Sequence, residues 1–181
     1  RIGLAGGGTD VSPYSDQFGG AILNATISLS AYAAIETLPE NKIIVEALDR
    51  DEQQIFDLVN ELPIDGTLDL LKGVYNRIQK DYSPALKGFR LSTFVDAPAG
   101  VTINVGVAPS TTLVVAVLGA FKEMLKLPLD EYKIAQYAYD IERNDLQLAG
   151  GKQDQYAATF GGVNFMEFYA GDKVIVNPLR I

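Results

Sequence analysis

Three polar, glycine-containing segments hold the residue types that could do chemistry. They are AGGGTD at 5–10, the loop and helix start at 100–112, and AGGKQDQYAATFGG at 149–162, which IERND precedes at 141–145. Their reactive groups are hydroxyls, carboxylates, a lysine and backbone amides. Each segment also has an ordinary structural interpretation, because turns, helix caps and solvated surfaces use the same residue types.

The segment at 100–112 favours a site for an anion. A glycine followed by hydroxyl residues at a helix start offers free N–H groups and the positive end of the helix dipole, which hold phosphate without a positive net charge. Ser110 or Thr111 is expected to cap that helix. A capped helix without a ligand shows the same pattern, so the segment alone leaves both interpretations open.

The segment at 149–162 places Lys152 and Asp154 next to two glycines that bring the backbone close to whatever these side chains face. Glu142 precedes Asp154 by twelve positions, near the end of a predicted helix. A solvated surface is the alternative, but GGKQDQ is an unusual way to build one. AGGGTD has the simpler interpretation of a tight turn, in which glycines supply positive φ.

The residue types that are absent narrow the chemistry further. The 181 residues include no His and no Cys, which excludes an imidazole base, a thiol nucleophile, a disulfide framework and the common zinc sites within this chain. A net charge of -8 argues against nucleic acid as a partner. Neither GxxxxGK[ST] nor a GxGxxG after a strand occurs, so the two commonest nucleotide-binding folds lose support.

Alternating and helical patterns predict the elements that must position these segments. Strands are predicted at 2–5, 21–36, 42–48, 89–96, 162–169 and 173–176, with Gly171-Asp172 as the turn of a closing hairpin. Helices are predicted at 67–80, at 113–125 and at 130–145, the last capped by Asp130. With 48% hydrophobic residues, the chain is expected to form one mixed domain of helices packed on a sheet.

The apolar runs of the chain indicate its cellular location, and its ends indicate whether it is a complete polypeptide. No run of about 18 apolar residues and no basic, apolar leader occurs, which predicts a cytoplasmic protein that does not enter a membrane. The chain begins at Arg1, directly in a predicted strand. We therefore interpret it as a piece of a longer polypeptide, incomplete at both ends.

Three stretches resemble the GHMP kinases, the family of galactokinase, homoserine kinase, mevalonate kinase and phosphomevalonate kinase. They are RIGLAGGGTDVSPYSDQFGGAILNATI at 1–27, LDLLKGVYNRI at 68–78 and IERNDLQLAGGKQDQYAATFGGVNFMEF at 141–168, and they are most similar to the heptose 7-phosphate kinases of that family. The resemblance implies an α+β fold for residues 1–181, the two-layer sandwich of the family's amino-terminal domain. This fold has a mixed, largely antiparallel sheet and a left-handed βαβ crossover, against the usual handedness. The family's carboxyl-terminal domain would be absent.

The same resemblance implies in-line phosphoryl transfer from ATP with Mg²⁺. Asp154 matches the family's catalytic aspartate, which orients or deprotonates the sugar hydroxyl, and Glu142 matches the acidic Mg²⁺ ligand. Arg1 matches an arginine near the transferring phosphate, and Lys152 would add positive charge nearby. The positions that match the sugar contacts are Gly8, Thr9, Asp10 and Gly151.

The family's phosphate-binding motif is altered in this chain. The family pattern is approximately PxGSGLGSSST, whereas residues 98–112 are PAGVTINVGVAPSTT, a longer stretch. Ala108 stands for a glycine, and Pro109, which has no N–H to donate, stands for a serine. Ser110 also matches a second Mg²⁺ ligand. The positions that match the nucleotide contacts are Gly106, Ser110, Thr111 and Thr112.

The hypothesis that follows is an ATP- and Mg²⁺-dependent kinase that converts D-glycero-D-manno-heptose 7-phosphate to the 1,7-bisphosphate at the anomeric hydroxyl. A fucokinase-like hexose kinase is the alternative within the same class. From another class, a sugar-binding or regulatory module that has the fold but no turnover would account for Ala108 and Pro109. The expected partners are a sugar phosphate and ATP, without nucleic acid or membrane, and a homodimer is left open.

Overall fold

The computed structural model describes residues 1–96 and 109–180. The predictions for Gly106 and Ala108 concern residues outside these ranges. In the described part, no helix combines the length and the apolarity needed to span a bilayer. The elements in chain order are β1 Ile2–Ala5, α1 Tyr14–Phe18, β2 Gly20–Ala25, β3 Ala31–Thr37, β4 Lys42–Ala47, β5 Glu52–Asp57, α2 Asp69–Tyr82, β6 Phe89–Val95, α3 Pro109–Leu125, α4 Glu131–Asp140, a π-helical turn Ile141–Asp145, α5 Gln153–Phe160, β7 Val163–Phe168 and β8 Val174–Leu179.

The strands form two four-stranded sheets. The first has the order β1-β2-β7-β8 and is antiparallel throughout, and the second has the order β3-β6-β4-β5. The second sheet is mixed, because β4 and β6 run parallel while its other pairs are antiparallel. The α+β class and the largely antiparallel pairing are therefore confirmed. The handedness of the crossover between β4 and β6 stays a prediction.

The predicted strand at 21–36 is two strands in different sheets, so that prediction is corrected. β2 ends where the Thr26 backbone N–H donates to the Gly162 carbonyl at 2.9 Å, and the Gly162 N–H donates to Thr26 Oγ1 at 2.8 Å. β3 then pairs with β6 in the second sheet. The apolar pattern continues across the break, and for this reason the sequence does not reveal it.

The larger core lies between the second sheet and helices α2 and α3. Alternate residues of β4 are buried against the helices, as expected for a strand with one covered face. The predicted apolar stripe of α2 is confirmed, with its residues at spacings of three and four facing the core. At its centre, the ring of Phe121 lies 5.7 Å from that of Phe89 and 6.4 Å from that of Tyr75, measured between ring centroids.

The smaller core lies between the first sheet and helices α4 and α5. Its buried residues are Ile22, Ala135, Tyr156, Ala157, Met166, Phe168 and Val176. Both sheets thus carry helices on one face, which is the two-layer arrangement expected. Helix α3 packs against β3 of the larger core and against both α4 and α5, so it joins the two halves.

Two helix starts bear on the site. Asp130 caps α4 as predicted, because its Oδ1 accepts the Lys133 backbone N–H at 2.8 Å. Helix α3 begins at Pro109, so the prediction that Ser110 or Thr111 caps it is wrong, and both residues lie inside its first turn. Proline is favoured at the first position of a helix, where its missing N–H removes no helical hydrogen bond.

Candidate functional site

Helix α5 presents Asp154 at its amino-terminal end. The segment becomes helical at Gln153, so Asp154 lies in the first turn. A carboxylate there is favoured by the helix dipole. The Arg1 guanidinium, held just before β1, donates through Nε to Asp154 Oδ1, and both side chains are 19% exposed. The structure therefore brings two of the predicted catalytic residues together.

A cavity of about 260 Å³ opens in front of this pair. Thr112, from the first turns of α3, lines the same cavity. The remaining wall comes from the connection between β2 and β3 and from the end of α5, with Thr26, Ile27, Leu29, Ser30, Ala31, Ala158 and Gly161. An acidic group, a guanidinium and the first turn of a helix thus face one cavity.

Asp10 is buried beneath the start of α5 and is only 2% exposed. Its Oδ2 accepts the Gln153 backbone N–H at 2.9 Å, and its Oδ1 accepts Gln153 Nε2 at 3.2 Å. A Cβ at Gly151 would lie 2.1 Å from Asp10 Oδ2, so only glycine lets this carboxylate approach. Asp10 and Gly151, both predicted sugar contacts, therefore lie together next to Asp154. In this structure Asp10 anchors the helix that carries Asp154.

The turn predicted at AGGGTD is present, with positive φ at Gly6 and Gly8. Thr9 Oγ1 donates to the Gly6 carbonyl at 2.8 Å and accepts the Ala21 N–H at 3.1 Å, which fixes the turn against β2. Gly8 is exposed at the surface of the turn. The turn determines where Asp10 enters the interior.

Glu142 lies on the π-helical turn and is 1% exposed. Its Oε2 accepts Thr111 Oγ1 at 3.0 Å and Gln155 Nε2 at 2.5 Å. Within residues 1–96 and 109–180, its Oε1 has no hydrogen-bond partner. Burial raises the pKa of Glu142, although the Thr111 hydrogen bond and the nearby Arg143 guanidinium act in the opposite direction.

An unpartnered buried carboxylate oxygen fits a hard divalent cation. Mg²⁺ is commonly held by one or two protein carboxylates together with substrate phosphates and water. Within the described ranges, no group of three or more carboxylates could hold a metal by itself. Glu142 Oε1 is therefore suited to contribute one ligand to such a cation.

The three hydroxyl residues at the start of α3 have different surroundings. Thr111 is buried and its hydroxyl donates to Glu142, so it is engaged with the predicted metal ligand. Thr112 faces the Asp154 cavity. Ser110 is exposed and lines a neighbouring cavity of about 430 Å³.

The 430 Å³ cavity is lined mostly by apolar residues and lies beside the start of α3. Val95 of β6 and Ser110 of α3 both line it. The other lining residues are Asp49, Arg50, Ile64, Gly66, Leu68, Asp69, Leu70, Leu71, Leu113, Leu146 and Leu148. An apolar cavity beside a helix start suits a flat apolar group that is attached to phosphate.

Lys152 does not turn toward Asp154. Its side chain is buried, and Nζ donates to Asp172 Oδ1 at 2.6 Å and lies 5.3 Å from the centroid of the Tyr139 ring. The ammonium thus ties the start of α5 to the β7–β8 turn. This contact points the ammonium at Asp172, and the predicted role of Lys152 as a catalytic charge stays a prediction.

Three residues of the site were missed at the level of sequence: Gln153, Gln155 and Arg143. The two glutamines bind the carboxylates of Asp10 and Glu142. Arg143 donates to the Leu148 and Gly151 carbonyls at 3.4 and 3.3 Å, and it lies 3.5 Å from Glu142 Oε2. Each is next to or near an assigned residue in the chain, but no periodicity marks it, because only tertiary contacts place it at the site.

A family model described as "GHMP kinases N terminal domain" matches residues 69–162. The match includes the start of α3, the π-helical turn and α5, which carry Thr112, Glu142 and Asp154. It therefore covers most of the site described above.

Two curated relatives and one solved structure show the similarity. The D-glycero-alpha-D-manno-heptose 7-phosphate kinase of Campylobacter jejuni is 51% identical over 100% of this chain and 52% of its own length. The L-fucokinase/L-fucose-1-P guanylyltransferase of Bacteroides fragilis is 27% identical over 94% of this chain and 20% of its own length. A D-glycero-D-manno-heptose 1-phosphate kinase from Bacteroides thetaiotaomicron superposes with a TM-score of 0.92 at 53% identity, over 99% of this chain and 57% of that one. The chain thus spans about half the length of the heptose kinases it matches.

Proposed function

Because this chain belongs to the GHMP kinase family, through its N-terminal domain, we propose that it supplies the catalytic half of an ATP-dependent sugar kinase. The observation that carries the proposal is the pairing of Asp154 with Arg1 at the cavity that Thr112 also lines. This arrangement places a proton acceptor and a fixed positive charge at one cavity.

The roles of these groups follow from what phosphoryl transfer requires. The sugar hydroxyl oxygen attacks the γ-phosphorus of ATP, the bond from that phosphorus to the ADP oxygen breaks, and the hydroxyl proton passes to the Asp154 carboxylate. The Arg1 guanidinium stabilises negative charge on the phosphoryl group during transfer. Asp10, through Gln153, holds the helix start that aims Asp154.

The nucleotide is proposed to occupy the 430 Å³ cavity with its base among the leucines and its phosphates toward Ser110 at the start of α3. Glu142 Oε1, with Ser110, would hold Mg²⁺. A bound Mg²⁺ neutralises phosphate charge. Pro109 begins α3 without loss of a helical hydrogen bond, so the substitution is compatible with the helix start that the phosphates would face.

The proposed substrate is D-glycero-D-manno-heptose 7-phosphate, and the proposed product is the 1,7-bisphosphate. The names of the two heptose kinases agree on a heptose phosphate and differ on the position of the phosphate. The 51% identity to the 7-phosphate kinase, against 27% to the fucokinase, favours the heptose over L-fucose.

The test is Mg-ATP-dependent phosphate transfer by the full natural polypeptide, with mass spectrometry of the product. Heptose 7-phosphate, heptose 1-phosphate and L-fucose are offered in parallel, and a 1,7-bisphosphate from the first is expected. Asp154→Asn should lower transfer on the order of 10²–10⁴-fold, the usual effect of losing a general base. The matched control is Asp51→Asn in an exposed turn, where φ is 53° and asparagine is tolerated. Full activity of Asp154→Asn would contradict the proposal.

A further inference from the structure

One oxygen atom, Glu142 Oε2, is the point at which three elements of the site meet. Thr111 reaches it from α3 and Gln155 reaches it from α5, while Glu142 itself belongs to the π-helical turn. Both donors bind the same oxygen. The other oxygen, Oε1, has no hydrogen-bond partner in the described part of the chain.

Gln155 makes the shorter of these two hydrogen bonds and is fully buried. It directly follows Asp154 on α5, so one helix carries both the proposed base and a donor to the proposed metal ligand. Its own Oε1 is buried and, within residues 1–96 and 109–180, also lacks a hydrogen-bond partner. An unpaired buried amide oxygen costs free energy, and the hydrogen bond that Gln155 donates to a carboxylate offsets part of that cost.

We propose that Gln155 is a positioning residue that turns Glu142 so that Oε1 is left for the cation, and that ties the Asp154 helix to the start of α3. This inference rests on the proposed function. A carboxylate can rotate about its terminal bond, and two donors on Oε2 remove that freedom. The amide is needed because its N–H donates a hydrogen bond to Glu142 Oε2. A glutamate at position 155 would instead place a second negative charge beside Glu142.

The proposal differs from a packing role in what it predicts for the metal. If Gln155 only filled space, a variant with an apolar side chain of equal length at position 155 would bind Mg²⁺ and nucleotide as tightly as the unmodified protein. If Gln155 orients Glu142, the same change weakens the cation while the apolar part of the nucleotide site is untouched. Partners of metal ligands typically contribute on the order of 10–100-fold in metal affinity.

The experiment is calorimetric titration of ADP into the full natural polypeptide, once with Mg²⁺ and once with a chelator. The unmodified protein should bind ADP more tightly with Mg²⁺. In Gln155→Met this gain should fall on the order of 10–100-fold, with the affinity in chelator unchanged. The control is Gln79→Met, the same change at a buried glutamine of α2, which donates to the Pro84 carbonyl and should keep the full gain.

The outcomes separate the two proposals. An unmodified protein without any Mg²⁺ effect on ADP binding would overturn the proposed function and this inference with it. A normal Mg²⁺ effect in both the unmodified protein and Gln155→Met would overturn the inference alone, as would an equal loss of affinity with Mg²⁺ and with chelator. Should Gln155→Met fail to fold, Thr111→Val removes the other donor to Oε2 and should show the same selective loss.

Discussion

Short contacts of Asp10 and Lys152 determine where their charged groups point at the start of α5. Gly151 leaves room for the Asp10 carboxylate, which then holds the first residue of α5. Lys152, next in the chain, turns in the other direction to Asp172. Neighbours in sequence therefore contact different parts of the molecule, Gly151 beside Asp10 and Lys152 beside Asp172.

Gly151→Ala is expected to lower the free energy of unfolding by about 1–3 kcal/mol, because the new methyl group would overlap Asp10 Oδ2 and force the buried carboxylate to move. Urea unfolding followed by circular dichroism measures this. Gly7→Ala is the matched control, since a Cβ there meets nothing within 4 Å. Equal stability of the two variants would show that the Asp10 contact does not constrain the fold.

Lys152→Met is expected to keep phosphate transfer close to that of the unmodified protein. The ammonium pairs with Asp172, whose side chain is 63% exposed and stays solvated after the change, and methionine fills the space of the lysine stem. The free energy of unfolding should change by about 1 kcal/mol or less. Steady-state kinetics with the sugar phosphate is the measurement. Loss of transfer by a folded variant would return Lys152 to the catalytic group.

Among the elements, the segment between β5 and α2 is fixed by a buried cation. Lys72 of α2 is fully buried, and its Nζ lies 2.6 Å from Asp65 Oδ1 and 3.1 Å from Asp69 Oδ1. This segment supplies Ile64, Gly66 and Leu68 to the wall of the proposed nucleotide cavity. The ion pairs thus shape one side of that cavity.

The Lys72 hydrogen bond is the main cause that lowers the pKa of Asp65 from 3.8 to about 2. An acid whose pKa is lower in the folded state than in the unfolded state stabilises the fold at any pH above its unfolded pKa. For Asp65 that contribution is lost as the pH falls from 3.8 toward 2. Asp65→Asn should therefore be less stable than the unmodified protein at neutral pH, with the difference shrinking through that range. Urea unfolding at several pH values measures it. In a Lys72→Met background the pH-dependent part should shrink but not disappear, because the Thr67 backbone N–H and the Gln54 amide still lower the pKa of Asp65. A pH-dependent part of unchanged size would contradict the assignment.

The elements that the sequence predicts well are those with long apolar periodicity, such as α2 with its stripe and the β7–β8 hairpin with its Gly171-Asp172 turn. Helix α5 escapes prediction because it opens with three polar residues, of which Gln153 and Gln155 are buried through tertiary contacts with Asp10 and Glu142. The family resemblance placed Asp154 and Glu142 at the site. It does not specify the glutamines that orient their surroundings, since those contacts exist only in the folded chain.

At the scale of the whole molecule, α3 joins the two cores. It packs on the second sheet and α2 on one side and on α4 and α5 on the other, and its first turn reaches both cavities. The proposed nucleotide and sugar sites are therefore connected through a single helix. A substitution that weakens the packing of α3 should therefore lower the stability of the entire domain.

Phe121→Ala is expected to lower the free energy of unfolding by about 3–5 kcal/mol, because this fully buried ring packs against Tyr75 and Phe89 in the larger core. Differential scanning calorimetry should show one cooperative transition at a lower temperature. Phe18→Ala, at a ring that is 73% exposed, is the control and should change little. Two separate transitions in Phe121→Ala would mean that the cores unfold independently.

The contact between Asp10 and Gly151 constrains any attempt to engineer this protein to accept another sugar. Residues 5–10 look like an independent module that could be exchanged for the corresponding turn of a different kinase, but the carboxylate at its end occupies the space above Gly151 and holds Gln153. A library that randomises the turn should therefore keep Asp10 fixed or vary position 151 together with it. A graft that ignores this contact would reorient the helix that carries Asp154, whatever its effect on sugar specificity.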